Sequence, residues 1–168
     1  MTITKALLLI GALGLAACTN PDRFADGAGG AGGAGYGDAA GGVNDPNSPA
    51  YFNQTIGNMV HFAVDQHTLS GEAQQILAQQ AEWLVSHPGY MALIEGHADE
   101  QGTRAYNIAL GDRRANSVRE FLISRGVAAG RITTISYGKE RPLAVCSDEN
   151  CYSQNRRAVT VITAGAGV

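Results

Sequence analysis

The chain has 168 residues, 45% of them hydrophobic and 16% charged, with a formal net charge of −3. That length bounds it to one domain plus a tail. The charges are of mixed sign, so there is no basic surface on which to build a nucleic-acid interface.

Lys5 supplies a positive start, and Ala6 to Ala17 form an apolar run. A run of about twelve residues suits a signal peptide and falls short of the ~20 that span a bilayer as a helix. Small residues (Gly14, Ala16, Ala17) precede Cys18, as a peptidase requires. Leu15-Ala16-Ala17-Cys18 resembles the bacterial lipobox. The resemblance implies thioether diacylation of Cys18, cleavage before it, and acylation of the new amino terminus. An ordinary secreted protein with a chance cysteine, or an uncleaved anchor, is the alternative. Several acyl chains anchor stably, whereas one is marginal. Thr19, not Asp, follows Cys18, which by the lipobox sorting rule implies the outer membrane.

Residues 1–17 are thus expected to be a signal peptide, and 18–54 a lipidated N-terminus and linker. Residues 27–42 hold nine Gly and five Ala, broken by Tyr36 and Asp38. Such a segment has little to bury and much backbone entropy to lose, so it reads as a flexible tether. About 36 linker residues reach roughly 30–36 Å root-mean-square.

From residue 55 to 165, strand and helix patterns alternate. Asn58 to Phe62 is strand-like. Ser70 is an N-cap candidate, before a helix with Ile76, Leu77, Ala81, Leu84 and Val85 at helical spacing. Pro88 stops it, because Pro disfavours helical geometry in the residue before it. Tyr90 to Glu95 is a second strand, followed by a loop from Gly96 to Gly102. Thr103 caps a long helix to about Arg125, closed by Gly126. Arg131 to Tyr137 and Arg157 to Thr163 complete the set, and Gly165 to Val168 read as a loose end. The order βαβαββ predicts an α+β two-layer sandwich, a mixed sheet with helices on one face.

Cys146 and Cys151 are expected to pair, since an exported protein meets an oxidising compartment. The loop they close is small and adds a modest constraint. A metal site using Asp148 and Glu149, or two reduced thiols, is the alternative.

The long helix carries polar residues on its apolar side. Asn107, Gly111 and Arg114 project within roughly 40° of Val118 at 100° per residue. A buried charge is costly unless paired. A mid-helix glycine, about 1 kcal/mol worse than Ala, points to a close backbone approach. The loop before the helix, Glu95-Gly96-His97-Ala98-Asp99-Glu100-Gln101-Gly102-Thr103, enters a helix N-terminus. Asp99 and Arg114 across a cleft could hold a zwitterion, carboxylate to ammonium and guanidinium to carboxylate. Alternatively, Asp99–Arg114 or Glu100–Arg113 is a structural ion pair.

That loop, with Tyr106-Asn107-Ile108-Ala109-Leu110-Gly111-Asp112-Arg113-Arg114-Ala115-Asn116-Ser117-Val118, resembles the OmpA-like peptidoglycan-binding domain. Val60-His61-Phe62 before Asp65, Ser136-Tyr137-Gly138-Lys139-Glu140-Arg141-Pro142 and Asn155-Arg156-Arg157-Ala158-Val159 extend the match. With the lipobox and tether, the resemblance implies a lipoprotein of the Tol-Pal system. It also implies that Asp99 and Arg114 clasp the meso-diaminopimelate of the peptidoglycan stem, with Asn107 ordering loop and helix. Phe62 and the Ala63 backbone would line the pocket. Leu110 would wall the ligand's methylenes, or be ordinary core. Asp65, Thr103 and Arg157 match motif positions but read rather as caps or scaffold ion pairs. Gln101 stands where that pattern has Arg. Expected partners are peptidoglycan, TolB and other Tol proteins, and the outer membrane through lipid.

An enzyme would have to rest on His61, His67, His97 and Asp99. No HExxH motif, nucleophile elbow or closely spaced ligand set occurs, so neither catalysis, cofactor nor metal is expected.

Overall fold

The computed structural model describes residues 42–165. Cys18, the signal peptide and most of the Gly/Ala segment lie outside the described residues. Strand β1 is Met59–His61, β2 Tyr90–His97, β3 Ile132–Gly138 and β4 Arg157–Ala164. They form one sheet in the order β1-β4-β2-β3. β4 runs antiparallel to β1 and β2, whereas β2 and β3 are parallel. The mixed α+β sheet is the expected one.

The helices begin where the caps predict. Ser70 Oγ accepts from the Ala73 amide at 3.1 Å and starts helix α2, Gly71–Ser86. (A short first helix, α1, precedes it at Pro49–Tyr51.) Thr103 Oγ1 accepts from the Tyr106 amide at 3.2 Å and starts α3, Arg104–Ser124. Leu77, Ala81 and Leu84 of α2 pack with Ala115, Val118 and Leu122 of α3 over Val60, Ile94, Ile132 and Ala158 of the sheet. Each large apolar side chain fully buried there contributes about 1.5–3 kcal/mol.

Gly111 makes the backbone approach that its position predicts. A Cβ on Gly96 of β2 would overlap the Gly111 carbonyl. A Cβ on Gly111 would meet Ser136 Oγ and lie 2.8 Å from the Gly96 carbonyl oxygen. Strand and helix thus touch backbone to backbone, which draws the polar stripe of α3 onto the end of β2.

Three features differ from expectation. β2 continues through Gly96 and His97, with a register shift between them, because both pair with β3. The folded part reaches into the stretch expected as linker. α1 runs into a π-helical turn, Phe52–Gly57. Phe52 is fully buried there, with its ring 5.0 Å from Trp83, whose indole donates to the Pro46 carbonyl at 2.7 Å. The β3–β4 connection contains a further helix, α4, Glu149–Asn155. Cys146 and Cys151 are disulfide-bonded at its start, with Cα atoms 5.6 Å apart.

Candidate binding site

The site forms where the β2–α3 loop, the first turns of α3 and the segment after β1 converge. A cavity of about 290 Å³ there is lined by Val64, Asp65, Asp99, Gln101, Gly102, Tyr106, Asn107 and Leu110. Asp99 is 8% exposed. Its Oδ1 accepts from the Gln101 amide at 3.1 Å, which turns the loop back on itself. Asn107 Nδ2 donates to the Gln101 carbonyl at 2.8 Å and ties that turn to α3. Lys139 adds bonds from Nζ to the Glu100 and Gly102 carbonyls at 3.1 and 2.8 Å. Across the cavity, Asp65 accepts from the Tyr106 hydroxyl, and that carboxylate holds the phenol above its ordinary value.

Arg114 is completely buried behind this wall. Nε donates to Gln66 O at 2.8 Å, Nη1 to His97 O at 2.8 Å and Nη2 to Ala63 O at 3.2 Å. Its guanidinium carbon lies 5.1 Å from the centre of the Phe62 ring. Three of five guanidinium donors are thus taken by main-chain carbonyls. Burial lowers its pKa to about 10, while the Asp99 charge acts the other way. The group therefore stays cationic at neutral pH.

Among the expected site residues, Asp99, Asn107 and Leu110 line the cavity directly. Phe62, Ala63 and Arg114 form the layer behind it. Neither alternative ion pair, Asp99–Arg114 nor Glu100–Arg113, occurs among the described residues; Asp99 pairs instead with Arg156, Oδ2 to Nη1 at 3.2 Å. Sequence reasoning passed over Arg156, although the run Asn155-Arg156-Arg157 contains it. Arg157, weighed as a scaffold residue, donates to the Arg141 and Asn155 carbonyls at 3.2 and 3.4 Å, and burial lowers its pKa.

His97 does not line the cavity. Neither ring nitrogen has a hydrogen-bond partner among the described residues; Nε2 lies 3.7 Å from Glu95 Oε2, and the ring lies 5.6 Å from Tyr137. Burial, then the charges of Arg157 and Arg141, lower its pKa to about 4. A second hollow of about 430 Å³ flanks Trp83 and His87 and contains none of the residues singled out in the sequence.

A model of the OmpA family matches residues 61–156. A peptidoglycan-associated lipoprotein of Agrobacterium fabrum is 50% identical over 94% of this chain and 85% of its own length. One from Pasteurella multocida is 40% identical over 94% of this chain and 96% of its own. The crystal structure of the peptidoglycan-associated lipoprotein from Burkholderia pseudomallei superposes with a TM-score of 0.64 at 41% identity. It covers 72% of this chain and 98% of that one. The C-terminal domain of Helicobacter pylori MotB, at 19% identity and a TM-score of 0.60, covers 65% of this chain and 86% of its own and shares the fold.

Proposed function

From the premise that the chain belongs to the OmpA family, among its peptidoglycan-associated lipoproteins, we propose that it tethers the outer membrane to the cell wall. A lipid on Cys18 holds one end, and the cavity at Asp99 grips peptidoglycan without covalent bonds. It acts in the Tol-Pal system, with TolB and other Tol proteins as partners, in envelope integrity and constriction at division. It is a binding protein, not an enzyme.

The observation that carries this reading is the charge arrangement. Two carboxylates, Asp65 and Asp99, line the cavity, and a buried guanidinium lies behind it with no carboxylate among the described residues within ion-pair distance. An amino-acid zwitterion such as the D-centre of meso-diaminopimelate matches that gradient: its ammonium faces Asp99 and its carboxylate turns toward Arg114. Charge-assisted hydrogen bonds of this kind are the strong ones. Leu110 offers apolar surface to the methylenes between the two centres.

Cosedimentation of the full chain with purified sacculi tests it. Wild type is expected to bind, Asp99→Ala to lose binding while staying folded, and walls without diaminopimelate to retain none. Binding to such walls, or binding that survives Asp99→Ala, would sink the proposal and favour docking to proteins alone.

A further inference from the structure

Helix α4 has seven residues and no apolar stripe, too little to hold itself together in water. Two devices hold its start: Asp148 Oδ1 accepts from the Asn150 and Cys151 amides at 2.9 and 3.2 Å, and the Cys146–Cys151 disulfide closes the turn before it. Its first residue, Glu149, is forked onto Arg156, with Oε1 on Nη2 and Oε2 3.3 Å from Nη1. Arg156 is buried, and the same Nη1 reaches Asp99 Oδ2 at 3.2 Å while Nε donates to the Phe62 carbonyl at 3.2 Å. Tyr152 of α4 adds a bond from its hydroxyl to Glu100 Oε1 at 2.9 Å. The acid of the cavity is therefore held on one oxygen by its own loop and on the other by a guanidinium that answers to α4.

We propose that Arg156 is the positioning residue of Asp99, and that the disulfide-stapled loop sets its position through Glu149. The staple removes freedom from the loop, the fork fixes the plane of Arg156, and Arg156 fixes the carboxylate that meets the ligand's ammonium. Neither Glu149 nor either cysteine lines the cavity, so any effect they have on binding must pass through these contacts. The inference rests on the reading of Asp99 as the ligand's ammonium site.

The test is cosedimentation of the full chain with diaminopimelate-containing sacculi, with urea midpoints measured alongside. Glu149→Gln and the pair Cys146→Ser/Cys151→Ser should each weaken binding about two- to fivefold, the range of a partly exposed ion pair. The triple variant should bind no more weakly than the weaker of the two, because both act on one link. Arg156→Met should lose about tenfold or more, and Arg156→Lys should recover part of it, keeping the charge without the fork. Wild-type binding by both Glu149→Gln and the serine pair would overturn the inference, as would losses that multiply in the triple variant. Those two arms decide the matter even if Arg156→Met does not fold. If Asp99→Ala abolishes binding and the loop variants match wild type, this inference alone falls; if Asp99→Ala binds normally, the parent reading falls and takes it along.

Discussion

Arg114 is at once an electrostatic feature and a piece of scaffold, and the two roles separate by substitution. Its three carbonyl acceptors come from Ala63, Gln66 and His97, on two different segments. Arg114→Met would leave the buried His97 carbonyl without that donor, at about 1–3 kcal/mol, and would untie the carbonyls of the exposed residues Ala63 and Gln66. It is expected to lower the thermal midpoint steeply by circular dichroism, and so to report on folding before binding. Asp99→Asn keeps the amide-accepting oxygen and the shape. It should therefore bind sacculi at least tenfold more weakly with a much smaller loss of midpoint.

His97 gives a pH prediction whose sign is fixed by its surroundings. Its pKa is about 4 in the folded chain against an ordinary 6.5. Between those values the unfolded chain takes up a proton that the folded one refuses, so stability falls as pH drops from 6.5 toward 4 and levels off below. Burial lowers His61 in the same direction. Urea midpoints at pH 7 and 4.5 should differ by less in His97→Phe than in wild type, with the remaining slope due to other groups. Asn107 and Arg114 were legible in the sequence because helical spacing put polar groups on an apolar face. Arg156 was not, since it sits at a helix–strand junction where neither period applies, and its partner Asp99 is 57 residues away.

At the level of elements, the contact of Gly96 with Gly111 sets how closely α3 lies on the sheet. Gly111→Ala should gain up to about 1 kcal/mol of helix propensity. It should lose more by overpacking, about 1–3 kcal/mol, because the new methyl meets Ser136 Oγ and the Gly96 backbone. A lower midpoint and weaker sacculus binding are expected together, since the same contact places Asn107 and Arg114. An unchanged midpoint would mean that the helix can lift without penalty. α2, α3 and all four strands were readable because each carries a cap, a breaker or a clear period. α4 was not: Glu149 to Asn155 buries only Cys151 and Asn155, and its stability comes from Asp148, the disulfide and Asn155 contacts. The N-terminal turn was hidden for a related reason. Its one fully buried large side chain, Phe52, follows a Gly/Ala segment whose composition dominates the reading.

Across the whole molecule, that anchor moves the start of the folded unit. Phe52→Ala should cost about 3–5 kcal/mol, as for a fully buried aromatic, visible as a lower urea midpoint. A chain beginning at residue 55 should melt well below one beginning at residue 42, which retains Pro46 on Trp83 and Phe52 in the core. Equal melting would show the segment to be dispensable.

The same segment has a mechanical consequence. On the proposed tether, tension would enter at the turn held by Ser48 on Gly42 and by Trp83 on Pro46. Behind them stands Phe52 in the core, and only past that anchor does a pull reach β1 and the Ala63 and Gln66 carbonyls that hold Arg114. On that proposed tether, the strap would be a fuse in series with the grip, giving way before the pocket does.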